Sequence, residues 1–108
     1  GIPLAAKFSD KTMKNENKTP LFSLGQIVAT PGAIEALKEN GTDGAEYLRR
    51  HESGDWGNLC EDDKKENDLS VKEGFRILSA YRLPDGQKLW IITEHDRSVT
   101  TLFLPCEY

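Results

Sequence analysis

Residues 75–104 read FRILSAYRLPDGQKLWIITEHDRSVTTLFL, and the pattern in that stretch decides the fold. Three runs, 75–82, 88–94 and 99–104, concentrate aromatic and branched side chains, which fit a pleated surface. Between the first two lies Leu83-Pro84-Asp85-Gly86-Gln87, a turn in which Pro fixes φ and Gly takes the positive-φ position. His95-Asp96-Arg97-Ser98 separates the last two. The three runs therefore predict an antiparallel meander. Alternation places Phe75, Ile77, Ser79 and Tyr81 on one face and Leu78 and Ala80 on the other; Leu89 and Ile91 oppose Trp90 and Ile92. Both faces carry apolar groups, so the sheet expects cover on each side, from helices or from a second subunit in a homodimer. Trp90, in mid-strand, is expected in the core.

Toward the N-terminus, residues 21–29 predict a further strand, in which Gly25 marks a bulge or a close approach. A lone strand leaves its backbone groups unpaired, so this one is expected at an edge of the meander. Thr30-Pro31 is a helix start, with Thr as cap and Pro preset for the first helical position. Ala33, Ile34 and Leu37 then share a face, and Asn40-Gly41 stops the helix. A second helix opens at Thr42 or Asp43, turns Tyr47, Leu48 and His51 inward, and ends at Ser53-Gly54. The two form an αα-hairpin. Residues 55–59 read as a loop anchored by Trp56, residues 60–69 as a short acidic helix, and residues 70–74 as a cap, one turn and a Gly stop. The class is α+β: a small antiparallel β-sheet of about four strands, with a C-terminal three-stranded meander, an αα-hairpin and a short acidic helix.

The whole chain has 108 residues, with Lys+Arg 14 against Asp+Glu 18 and a net charge of −4. That length holds one domain, expected over residues 21–108. The only Met is Met13, so residues 1–12 are expected to be an appended remnant, with a processed N-terminus as the alternative; the polar residues 13–20 read as a disordered lead-in. Without residues 1–12, which carry Lys7 and Lys11 against Asp10, the charge becomes −5. Such a balance opposes broad binding to nucleic-acid backbones. No apolar run approaches the ~20 residues of a membrane-spanning helix, and no secretion signal is visible, so the expected location is the cytoplasm. Cys60 and Cys106 form no CxxC pair and lie at no metal-ligand spacing from a His, which predicts two reduced thiols.

Few motifs suggest chemistry. No nucleophile elbow, phosphate loop or cation-binding loop occurs, and no cofactor or metal is expected. Residues 55–68 hold Asp55, Glu61, Asp62, Asp63, Glu66 and Asp68 against Lys64 and Lys65, a local net of −4. This is either a patch for a basic partner or a solvated helix whose acids suit the N-terminal dipole. His51, followed by Asp55 and Trp56, could serve as an acid or base; a His at a helix end also simply caps carbonyls. Trp56 either covers a pocket or pins its loop. Glu94, Asp96, Arg97 and Thr100 crowd one hairpin end, which either offers a ligand or partner a carboxylate pair and a guanidinium or bonds within its own turn, Arg97 being consumed by Glu94 or Asp96.

Three blocks also carry a resemblance: residues 21–33 (LFSLGQIVATPGA), residues 50–57 (RHESGDWG), and WIITE at 90–94 with DRSVTT at 96–101. They resemble a family of small plasmid-related proteins carried on bacterial plasmids and integrated mobile elements. The resemblance implies a cytoplasmic accessory protein of mobile DNA and supplies no activity and no functional residue. Two functions are expected in consequence. The first is a non-catalytic binding or adaptor protein that recognises another protein, in part through an acidic surface, with Asp55, Trp56, Glu61, Asp62, Asn67 and Arg97 as candidate contacts. The second is a small hydrolase or ligand-binding enzyme, with His51, Asp55 and Glu94 gathered under Trp56. An enzyme needs those side chains to converge in a concave pocket; an adaptor needs an exposed apolar surface.

Overall fold

The computed structural model describes residues 20–107. The expectations for residues 1–12 and for residues 13–19 lie outside that range. The described chain runs β1 (Gln26–Ala29), α1 (Pro31–Glu39), α2 (Ala45–Glu52), α3 (Glu61–Glu73), β2 (Ile77–Arg82), β3 (Lys88–Thr93) and β4 (Val99–Phe103), with a closing 3-10 turn at Pro105–Glu107. It is an α+β fold.

The meander forms as its alternation predicts. β2 pairs antiparallel with β3, and β3 with β4. β1 joins the free edge of β4, giving the order β1-β4-β3-β2, but it does so in parallel, so the sheet is mixed rather than wholly antiparallel. Gly25 (φ 66) lets the chain enter β1 pressed against the backbone carbonyls of Arg97 and Ser98, where a Cβ would collide. This is the close approach expected of it.

The helices start and stop for local reasons. Thr30 caps α1 by accepting from the Ala33 N–H at 3.2 Å, and Pro31 opens it. The first turn of α1 has no acid of its own. Glu107 supplies one from the far end of the chain, accepting from the Thr30 hydroxyl at 2.5 Å, the Gly32 N–H at 3.2 Å and the Leu104 N–H at 2.9 Å. Its carboxyl is accordingly held below the usual range. Residues 60–74 form one helix and its stop, not two pieces: Ser70 lies inside α3, and Gly74 ends it in the left-handed region.

α1 and α2 cover one face of the sheet. Ala33, Ala36, Leu37 and Tyr47 meet Tyr81, Leu89, Ile91 and Leu102 there in a single core, with Leu83 from the turn. Two expectations change. Ile34 is 56 % exposed, because Ala33, Ala36 and Leu37 are the side chains that α1 turns inward. Trp90 is half-buried on the opposite face, edge-on to Phe103 at 5.9 Å, so it borders the core instead of filling it.

The two sheet edges are treated differently. On β2, Leu78 and Ala80 face outward, and both are paired. The Asn67 carboxamide accepts from the Leu78 N–H at 3.2 Å and donates to its carbonyl at 2.6 Å. Ala80 donates to Trp56 O at 3.2 Å and accepts from Asn58 N–H at 2.6 Å. β1 has no such cover among the described residues. Gln26 donates to Ser98 O and Thr30 to Leu102 O, so residues 26, 28 and 30 face β4. Ile27 and Ala29 therefore turn their N–H and C=O groups away from the sheet. All four residues of β1 are exposed.

Candidate functional site

The described residues form a sealed polar centre under Trp56 and an open groove beside β1.

The sealed centre begins with His51, which α2 delivers to the sheet face from its last turn. Its Nδ1 lies 2.6 Å from Ser79 Oγ and its Nε2 2.8 Å from Thr93 Oγ1. Thr93 Oγ1 is 2.8 Å from Thr100 Oγ1, which reaches the Leu24 carbonyl at 2.7 Å. These contacts fix the protons. A carbonyl only accepts, so Thr100 donates to Leu24. Thr100 must then accept from Thr93, whose single proton is thereby used. His51 therefore carries its proton on Nε2 and donates it to Thr93, and the bare Nδ1 accepts from the Ser79 hydroxyl. The result is a one-way chain, Ser79→His51→Thr93→Thr100→Leu24, running from β2 through α2 to β3, β4 and the approach to β1.

All four side chains in this chain are fully buried. Burial first, and the charge of Arg97 second, push the His51 pKa down to about 3, so the ring is neutral. Phe22 stands edge-on to His51 at 5.2 Å and stacks on Trp56 at 6.3 Å; Trp56 stands edge-on to His51 at 6.0 Å. A hydroxyl 2.6 Å from an unprotonated imidazole nitrogen has the spacing of a nucleophile and its base. Sealed beneath two aromatic rings, it meets no substrate in this conformation.

The predicted site residues do not converge here. Trp56 lies over His51 as expected, but it is 4 % exposed, and its indole N–H donates to Asp68 Oδ1 at 3.1 Å. It pins its loop, because a ring that large gains most by full burial. Asp55 turns away from His51, to Arg50 at 2.7 Å and to the Gly57 N–H at 3.2 Å. Glu94 pairs with Arg76 at 3.6 Å. Asn67 is buried against the β2 edge and presents no contact surface. Arg97 is consumed, though by carbonyls and not by carboxylates: it donates to Phe75 O at 2.7 Å, Ser70 O at 2.9 Å and Glu94 O at 3.1 Å. Asp96 bonds within its turn, to the N–H and hydroxyl of Ser98. Of the candidate contacts, Glu61 and Asp62 remain exposed, at the start of α3.

Ser79 and Thr93 are not among the residues the sequence singles out, and Thr100 is singled out only with the polar cluster at the hairpin end. Their signal was present: each is a small hydroxyl at an inward position of an otherwise apolar strand face. What pairs with such a hydroxyl depends on neighbouring strands, and Thr93 and Thr100 are register partners.

The second place is a groove of about 640 Å³ between the αα-hairpin and the β1–β4 side of the sheet. Ile27, Ile34, Leu37, Leu48 and Leu102 line it, with Lys38 and Asp43 as its charged members. Ile27 is 49 % exposed and forms both the groove wall and the open edge. Exposed Ile27 and Ile34 at its rim contrast with the charged exterior of α3. Among the described residues no group of three or more His, Cys, Asp or Glu side chains is placed to hold a metal ion. Cys60 and Cys106 are free and exposed. No described helix is long and apolar enough to cross a membrane.

No family model, curated protein or solved structure matches the chain.

Proposed function

We propose that this is a non-catalytic binding protein that recognises another protein by taking an extended, apolar segment along β1. One observation carries the reading. Among the described residues nothing pairs with the outward N–H and C=O groups of Ile27 and Ala29 beside an apolar groove, while the opposite edge of the same sheet is closed by Asn67 and the Trp56–Asn58 loop. Added strands gain affinity from main-chain hydrogen bonds and specificity from pockets for alternate side chains. β1 offers the first, and the groove, entered beside Ile27, offers the second. The resemblance to plasmid-related proteins supports placing the partner in the cytoplasm, among proteins concerned with bacterial mobile DNA.

The test uses a peptide of alternating apolar and polar residues, titrated into the isotopically labelled protein. The expected result is saturable shifts at the amides of Ile27 and Ala29 and at the methyls of Leu48 and Leu102. Ile27→Asp, at an exposed position, is expected to weaken binding by about tenfold, the effect of burying a charge against an apolar strand. Shifts confined to α3, or none, would overturn the reading.

A further inference from the structure

The edge that would receive a partner strand is also built to receive itself. We propose that, in the absence of another partner, β1 pairs antiparallel with β1 of a second copy of this chain across a two-fold axis at Val28. The inference rests on the reading of β1 as a binding edge and names its resting occupant.

The register follows from the backbone. Ile27 and Ala29 are the residues whose N–H and C=O groups point outward. With the axis at Val28, Ile27 of each copy faces Ala29 of the other, and every outward group on both strands finds a partner. Moving the axis to Ala29 sets Ile27 against Pro31, which has no N–H to give. Moving it to Ile27 sets Ala29 against Gly25, whose φ of 66 takes it off the strand. The Val28 axis is the arrangement that wastes nothing.

Charge selects a second copy as the occupant. A two-fold axis sets a residue against its own kind, so any charge on the seam would face a like charge. Residues 19–34 carry none, in a chain that is 30% charged. The most acidic element, α3, with Glu61, Asp62, Asp63, Glu66, Asp68 and Glu73 against Lys64, Lys65 and Lys72, packs beside β2 at the far edge of the sheet, roughly 14 Å away at the usual strand spacing. The densest cluster of like charge is thus held away from the seam, and the carboxylate at the end of β1, Glu107, is engaged by Thr30, Gly32 and Leu104. Val28, 38 % exposed on the face opposite the groove, would meet Val28 of the other copy in the close, directly opposed pair of such a ladder. Strand edges without charge, proline or cover are the ones that self-pair.

The test is a charge swap at Val28, read by sedimentation velocity over micromolar to millimolar concentrations of the full chain. The wild type is expected to show a concentration-dependent dimer. Val28→Lys and Val28→Glu, each alone, lose an apolar pair and gain a repulsion, and are expected to self-associate about tenfold more weakly. An equal mixture of the two restores the dimer, which also shows that both variants fold. A wild type that stays monomeric throughout would overturn the proposal, as would a dimer that both variants retain. A monomer that still binds the alternating peptide would sink the self-pairing alone; a monomer that does not would remove the binding edge with it.

Discussion

The buried His51 makes acid a specific perturbant of this fold. Its folded pKa is about 3, against 6.5 in an ordinary environment. Because the folded value is depressed, the contribution to stability is fully present above pH 6.5 and is lost as pH falls from there toward 3. At about pH 5 the unfolded chain has taken up a proton that the folded chain refuses, and at 1.36 kcal/mol per pH unit this amounts to about 2 kcal/mol. The hydrogen-bond chain explains why the ring resists. Nε2 already spends its proton on Thr93, and Nδ1 is occupied by the Ser79 hydroxyl. A proton on Nδ1 would reverse the Ser79 bond and place a charge among fully buried groups near Arg97. The assay is urea unfolding at about pH 7.5 and about pH 5, where ordinary carboxylates stay mostly ionised. His51→Gln serves as the reference, since it cancels every other titrating group. Wild type is expected to lose about 2 kcal/mol more than the variant over that interval. Equal losses, or an imidazole that titrates near 6.5 in the folded protein, would refute the assignment.

Three further outcomes follow from the β2 edge and its loop. Gly57 (φ 78) packs its backbone onto the Ala80 carbonyl, so Gly57→Ala adds a Cβ where there is no room in a conformation that L residues avoid; a loss of about 3 kcal/mol is expected in thermal melts, and a wild-type melt would contradict the contact. Asn67→Ala leaves the half-buried backbone of Leu78 without its Asn67 partners and is expected to cost about 2 kcal/mol, with faster hydrogen exchange at the Leu78 amide; unchanged exchange there would show that the edge is closed by something else. Trp56→Ala empties the space over His51 and is expected to destabilise by about 4 kcal/mol; an unchanged melting temperature would make Trp56 a surface residue after all.

Much of this was legible in the chain. The period-two pattern of 77–82 and 88–93 marks which residues turn inward, and Thr30-Pro31, Asn40-Gly41 and Gly74 carry their caps in their own chemistry. Gly25 marked either a bulge or a close approach, and the structure has the close approach, where only glycine tolerates both the φ and the neighbour. The candidate site was less readable. Trp56 and His51 do meet, yet the carboxylates expected beside them turn to Arg50 and Arg76, and Asn67 and Arg97 serve the backbone instead of a partner.

The dividing line is physical. Local sequence determines where a strand or helix begins, which way a side chain points and which backbone angles are permitted, because those depend on atoms a few bonds apart. Only the tertiary structure decided that β1 runs parallel to β4 with its outer edge uncovered among the described residues, and that Ser79, His51, Thr93 and Thr100 join in one chain. Those outcomes depend on which elements become neighbours, and the directed bonds of the buried chain are set by an acceptor, Leu24 O, that lies 76 residues away from its donor.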